Sequence, residues 1–413
     1  MIMNTRRKTV FALSLFFIMA VAFMGCGAKT TVYAIAVQPT AIKIAVNVAI
    51  QFRATASKSS GFIGDVTSEV SWSSSNPAVA TVNASGIVTA VGPGTATITA
   101  SEQGMSAGSS VTVTSVTAST FNVGTNPSAI AIDASGNAWV ANYGSNNVTE
   151  LNPSGALLGT YNVGTNPSAI AIDASGNTWV TNFGGNNITV LYSTGAYGGT
   201  YGVGTNPSAI FIDRSNNVWV TNYGSNSVMA LSASGALGGT YGVGTNPSGI
   251  AIDPSNNVWV TNYGSNNVTA LNSGGVLGGT FAVGAKPSGI AIDPWNNVWV
   301  VNQGGNSVTK LNASGALVGT YTVNSAHAVC VDSAGMVWVA NYGSATVPGN
   351  TVTQLSPDGV VFNTYTVGNN PDSIAIDANG NVWVANYGSN TVTVLSGAAT
   401  GPQYRTYAGP VWP

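Results

Sequence analysis

From residue 116 onward one tryptophan returns at a nearly fixed distance. Trp139, Trp179, Trp219, Trp259, Trp299, Trp338 and Trp383 stand 40, 40, 40, 40, 39 and 45 residues apart. A period of this length marks a supersecondary unit that cannot bury its apolar face alone and must stack on its neighbours. Each unit offers four strand-like runs, in the first case 128–132, 138–142, 148–151 and 158–163, and none shows a helical period. The first two runs are almost continuously apolar, as in strands covered on both faces, whereas the last two are more polar and belong further out. Seven four-stranded sheets, each sandwiched between neighbours, predict an all-β chain that ends in a seven-bladed β-propeller.

The turn chemistry agrees. Asp133-Ala134-Ser135-Gly136-Asn137 places glycine where a short hairpin needs positive φ, and Asn216, Asn256 and Asn296 replace it in units three to five. Asparagine tolerates the left-handed region, so the turn is preserved. The seven repeat aspartates, Asp133, Asp173, Asp213, Asp253, Asp293, Asp332 and Asp377, enter these hairpins and are expected to hydrogen-bond the turn backbone rather than to hold a metal ion. A run at 120–123 precedes the first unit and another at 404–407 follows the last. The N-terminal run is expected to supply the outer strand of blade seven and so to close the ring.

Two repeated loops should emerge at one end of the propeller, one before the first strand of each unit and one after the second. The second brings Tyr143, Phe183, Tyr223, Tyr263, Gln303, Tyr342 and Tyr387 round a ring beside asparagines. Flat aromatic faces with neutral amides can hold a glycan or a peptide by stacking and directional hydrogen bonds. Symmetry breaks in units five and six. Lys286 and Gln303 stand at this end of unit five, and unit six carries His327, Cys330 and an insertion at 345–349. A single ligand site is expected there. His327 is placed before the first strand of unit six, where the other turns carry prolines such as Pro127 and Pro167, and reads as a satisfied or solvent-facing loop histidine. Cys330, in an apolar strand, reads as a buried small hydrophobe.

Ahead of the repeats, Asn4-Thr5-Arg6-Arg7-Lys8 is a basic head followed by an apolar stretch at 10–23, the pattern of a secretory signal. Fourteen residues are short of the roughly 20 that a spanning helix needs. Phe23-Met24-Gly25-Cys26 resembles the lipobox of bacterial lipoproteins. The resemblance implies cleavage before Cys26 and acylation of its thiol, leaving the membrane as a partner through lipidated Cys26. The expected location is the bacterial cell envelope, at the outer membrane or cell surface. Residues 33–115 hold short alternating runs separated by turn signals at Gly61, Asn76-Pro77, Ser85-Gly86 and Gly92-Pro93-Gly94, which read as a β-sandwich. The string from Val70-Ser71-Trp72 through Asn76-Pro77-Ala78-Val79-Ala80-Thr81-Val82, then Gly86-Ile87-Val88-Thr89-Ala90 and Gly94-Thr95-Ala96-Thr97-Ile98-Thr99-Ala100, resembles the bacterial immunoglobulin-like domain, group 2, whose members commonly act as spacers. Trp72 is expected in its core. The chain thus divides into a signal peptide (1–25), a tether (26–32), the Ig-like domain (33–115) and the propeller (116–413).

The Asn-Pro, Ile-Ala-Ile-Asp, Gly-Asn and Trp-Val elements of the repeats, over about residues 120 to 400, resemble streptogramin lyase (virginiamycin B lyase) and NHL-repeat propellers. Streptogramin lyases open a cyclic depsipeptide ester by elimination, with a histidine base and a divalent ion near the central face. This chain has one histidine, and its position does not match the family's machinery, so no catalytic residue, no metal ligand and no cofactor carries over. Charged residues make up 6% of the chain, and from residue 116 four cations face ten acids, a net of -6. No nucleic-acid partner is therefore expected, and other anionic polymers are poor candidate partners. The expectation is a monomeric, lipid-anchored binding or interaction scaffold with the Ig-like domain as spacer. The alternatives are a metal-dependent lyase or lactone hydrolase on the same propeller, and a purely structural or adhesive surface protein.

Overall fold

The structure is a computed structural model that describes residues 30–46, 48–344 and 347–399. The signal segment with Cys26, the run at 404–407 and residues 345 and 346 of the insertion lie outside the described residues. Among the described residues no helix is long and apolar enough to cross a membrane.

Seven four-stranded antiparallel sheets form the blades. In blade one they are Pro127–Ile132, Ala138–Asn142, Asn147–Leu151 and Leu157–Asn162, counted outward from the axis. The first two strands are almost wholly buried, and the fourth alternates between exposed and half-buried. That gradient is the one the apolar runs predict. Each blade interface has its own apolar cluster, as where Ala129, Trp139 and Val148 of blade one meet Ile170, Val180 and Leu191 of blade two. The blades are also keyed by their aromatics. Trp139 stacks on Tyr161 of its own blade with centroids 5.5 Å apart, and the Tyr161 ring lies where a Cβ on Gly195 of blade two would stand.

Blade seven has only three strands of its own repeat, Pro371–Ile376, Val382–Asn386 and Thr391–Ser396. Its fourth is the N-terminal strand Thr117–Asn122, paired antiparallel with Thr391–Ser396 from Thr117↔Ser396 to Asn122↔Thr391. The ring closes as expected from the N-terminal side.

Ahead of it lies an Ig-like unit of three small sheets around Phe52, Ile98, Val88 and Val111. Trp72 is half-buried at the edge of this core rather than at its centre, because its Nε1 must reach the Thr67 carbonyl at 2.9 Å. The unit is seated on the propeller. Phe362 of blade six packs against its core, and Thr114 Oγ1 donates to the Gly397 carbonyl at 3.0 Å. Strand Met105–Thr114 is separated from the closing strand Thr117–Asn122 by two residues, so the two units share a short connection.

Candidate functional site

The loops before the first strand and after the second strand of every blade meet at one end of the axis, tied to each other across blades. Asn166 Nδ2 donates to the Tyr143 carbonyl and Asn166 N to Asn146 Oδ1, and Asn206 and Asn246 repeat the pattern. These asparagines sit at φ near +50°, which their residue type tolerates. The loops hold the aromatic side chains half-buried around the mouth. Adjacent rings are tilted, with centroids 6.4 Å apart for Tyr143–Tyr387, 6.3 Å for Phe183–Tyr223, 6.4 Å for Tyr223–Tyr263 and 6.2 Å for Tyr342–Tyr387. Burial raises the pKa of Tyr143, Tyr223, Tyr342 and Tyr387 above the ordinary tyrosine value. Blade five interrupts the ring. Gln303 stands there in place of an aromatic, and Lys286, at φ +50° where most blades carry asparagine, lays its Nζ 5.6 Å from the Tyr263 centroid.

His327 is neither before the strand nor in a loop. It lies within strand Ala326–Val331, 1% exposed, at the position of Ser128 in blade one, while Ala326 takes the place of Pro127. In blades one to five that serine crosses to the next blade: Ser128 Oγ donates to the Pro167 carbonyl at 2.8 Å, Ser168, Ser208 and Ser248 repeat the bond to Pro207, Pro247 and Pro287, and Ser288 Oγ donates one residue further on, to the His327 carbonyl at 2.7 Å. Blade six substitutes His327 and blade seven Asp372, and the two side chains meet across the interface. His327 Nε2 lies 2.7 Å from Asp372 Oδ1, an ion pair when the imidazole is protonated. The Tyr342 ring covers the imidazole at a centroid distance of 4.6 Å, and Gln303 Nε2 approaches His327 Nδ1 at 3.4 Å. Burial holds the Asp372 carboxyl above the ordinary carboxylate range, although His327 draws it down.

The structure places the aromatic residues, Lys286 and Gln303 at this one end, with His327 buried beneath the Tyr342 ring. Asp372 was missed. Its signal was present in the sequence, since Pro371-Asp372 stands against Pro127-Ser128 and four more Pro-Ser pairs. Cys330 is fully buried, and burial pushes its thiol well up, so it is an inert core residue.

The repeat aspartates lie at the opposite end. Asp133 Oδ1 accepts from the Ser135 and Asn137 amides at 2.8 Å, and its Oδ2 from Trp139 Nε1 and Asn137 Nδ2 at 3.1 Å. Asp173, Asp213, Asp253, Asp293 and Asp377 make the same set. Both oxygens of each are committed to the hairpin. Among the described residues no group of three or more His, Cys, Asp or Glu side chains converges. The donor set for the divalent ion of a lyase centre is not met by these residues.

A family model described as the virginiamycin B lyase family matches residues 123–395. One described as the intimin immunoglobulin-like domain matches residues 54–103. Among solved structures, a streptogramin B lyase is similar with a TM-score of 0.62 at 20% identity, over 68% of this chain and 97% of that one. Virginiamycin B lyase from Staphylococcus aureus is similar with a TM-score of 0.61 at 19% identity, over 68% and 99%. At such identity the likeness is one of fold. Ice-binding protein 1 of Shewanella frigidimarina is 46% identical over 71 residues, 17% of this chain and 8% of that protein's length. With its blades, its closing strand and the match over residues 123–395, the chain belongs to the virginiamycin B lyase family.

Proposed function

We propose that this chain is an exported, lipid-anchored cell-envelope protein. Its propeller binds an uncharged glycan or peptide at the aromatic mouth, and the Ig-like domain serves as spacer. The observation that carries the reading is the ring itself: six aromatic side chains from six blades, half-buried and tilted round one axis, with amides between them. Such rings offer stacking faces at little conformational cost. The lyase alternative needs a base that touches substrate, and it is disfavoured because the chain's one histidine lies beneath the Tyr342 ring.

The test is thermal denaturation of a soluble form beginning at Gly27 against cell-wall glycans and peptides, with and without chelator. A ligand at a hundredfold excess over its Kd stabilises the fold by about 2.7 kcal/mol. The expected rise in midpoint, roughly 5 °C, survives chelator and is lost in the Tyr263→Ala, Tyr342→Ala variant. A rise that requires a divalent ion would put the lyase reading first. Lipid anchoring predicts that Cys26→Ser moves the protein from the membrane to the soluble fraction and abolishes labelling by a fatty-acid analogue.

A further inference from the structure

The opposite end of the axis holds a cavity of about 890 Å³, within the roughly 300–1,000 Å³ of small-molecule sites. Its wall is built from the last residue of the inner strands: Ile132, Ile172, Ile212, Ile252, Ile292 and Ile376 all line it. The reason is periodicity, since alternate residues of the inner strand point to the blade interface and the strand's end reaches the channel. The isoleucines of blades one to three, Ile132, Ile172 and Ile212, stay only half-buried, so this side of the wall is apolar surface left in contact with water. Phe211, in the place of Ala131, Ala171, Ala251 and Ala291, adds an aromatic face to it.

The rim carries the opposite chemistry. Asp133, Asp173, Asp213, Asp253 and Asp377 line the cavity together with one cation, Arg214. Arg214 Nη1 is held on the Pro254 carbonyl at 3.0 Å, which keeps the guanidinium at the edge rather than across the mouth. The aspartate oxygens are committed to their hairpins, so they act through their field and not as ligands, and a low-dielectric wall concentrates that field.

We propose that this cavity is a second binding site, at the far end of the axis from the aromatic mouth, that takes an amphiphilic organic cation. The apolar body lies against the isoleucine wall, and the ammonium head sits among the rim carboxylates. A neutral amphiphile gains only the wall, and an anionic one meets repulsion at the rim. A bare metal ion gains neither, because no carboxylate is free to enclose it.

Calorimetric titration of the protein from Gly27 onward tests this, with decyltrimethylammonium, decanol and decanoate as probes below their aggregation limits. The cation binds about tenfold or more tightly than the alcohol, decanoate binds most weakly, and raising salt to about 0.5 M narrows the gap. Ile172→Lys places an ammonium in the half-exposed wall and abolishes binding of the cation. Ile212→Trp narrows the cavity and weakens cation and alcohol alike, a control for charge because it leaves the rim charge unchanged. The Tyr263→Ala, Tyr342→Ala variant binds as the parent does, so this test stands apart from that of the aromatic mouth. Equal affinity for the three probes, or cation binding unchanged in both Ile172→Lys and Ile212→Trp, overturns the proposal.

Discussion

Asp133 and its counterparts show how one side chain can explain a repeat: in six blades the carboxylate gathers two backbone amides, an asparagine amide and the blade's own tryptophan, which fixes hairpin and Trp rotamer together, and in blade six, where Met336 replaces the asparagine, Asp332 keeps the two amides and the tryptophan. The Asx-turn role was legible because aspartate, glycine or asparagine, and tryptophan recur at constant spacing. The His327–Asp372 pair was half legible. The histidine stood out as the sole one in the chain, but assigning it to a turn shifted it by one position against Ser128 and hid its partner. In physical terms the pair replaces a neutral cross-blade bond with two buried ionisable groups, which cost desolvation unless they stay together. His327→Ala should therefore cost about 3–5 kcal/mol by leaving a buried carboxylate unpaired. The joint His327→Ser, Asp372→Ser variant, which restores the residue of blades one to five, should cost far less; urea denaturation of it, of His327→Ser and of Asp372→Ser completes the cycle. The pH dependence has a defined sign. A carboxyl whose pKa is raised on folding binds its proton more tightly in the native state. Its contribution is thus fully present below the unfolded value, roughly pH 4, and is lost as pH rises through the raised one. The stability of the parent relative to Asp372→Ser should accordingly fall between about pH 4 and neutrality, and a constant difference would contradict the burial assigned to Asp372.

Between residue and ring, the working element is the blade with its outer turn. Tyr161 stacks on Trp139 and reaches over Gly195 of the following blade. Tyr201 and Tyr241 do the same over Gly235 and Gly275, so each outer turn is cut to receive a neighbour's ring. Burial with the Glu150 carboxylate beside it pushes the Tyr161 hydroxyl up to about 12. Gly195 has φ +78°, and an added methyl would meet the Tyr161 ring. Gly195→Ala should thus destabilise by about 2–4 kcal/mol, from left-handed strain plus overpacking. Gly242→Ala, with open space around its Cβ, should change stability by under about 1 kcal/mol. Chemical denaturation of the two variants checks the contrast. The four strands per blade and their inside-out burial were readable from the apolar runs. The ring-over-glycine contact was not, because a turn glycine looks the same whether it is required by φ, by a neighbour or by both.

For the whole molecule, sequence periodicity carried the architecture, whereas it offered a run at either terminus for the seventh blade's fourth strand, and the pairing of Thr117–Asn122 with Thr391–Ser396 is what shows the N-terminal one in that place. What it could not reveal was the seat of the Ig-like unit on blade six, since Phe362 reads as one more outer-strand aromatic until the unit is placed against it. Nor could it reveal the axial cavity, whose size depends on how far seven similar blades stand apart. Removing strand Thr117–Asn122 should leave blade seven with an open edge and lower the thermal midpoint by roughly 10 °C or more, with loss of a single cooperative transition in calorimetry. The placement of that strand also sets how the molecule bears mechanical load. Tension entering through the Ig-like unit arrives at Thr117, the end of a strand lying alongside Thr391–Ser396 over six residue pairs. A pull along that strand strains its rungs together, as a lap joint is sheared, rather than parting them one by one as a zipper opens. The seam of the ring is thereby its clasp, and a propeller tugged from its N-terminal side should hold until the whole joint slips at once.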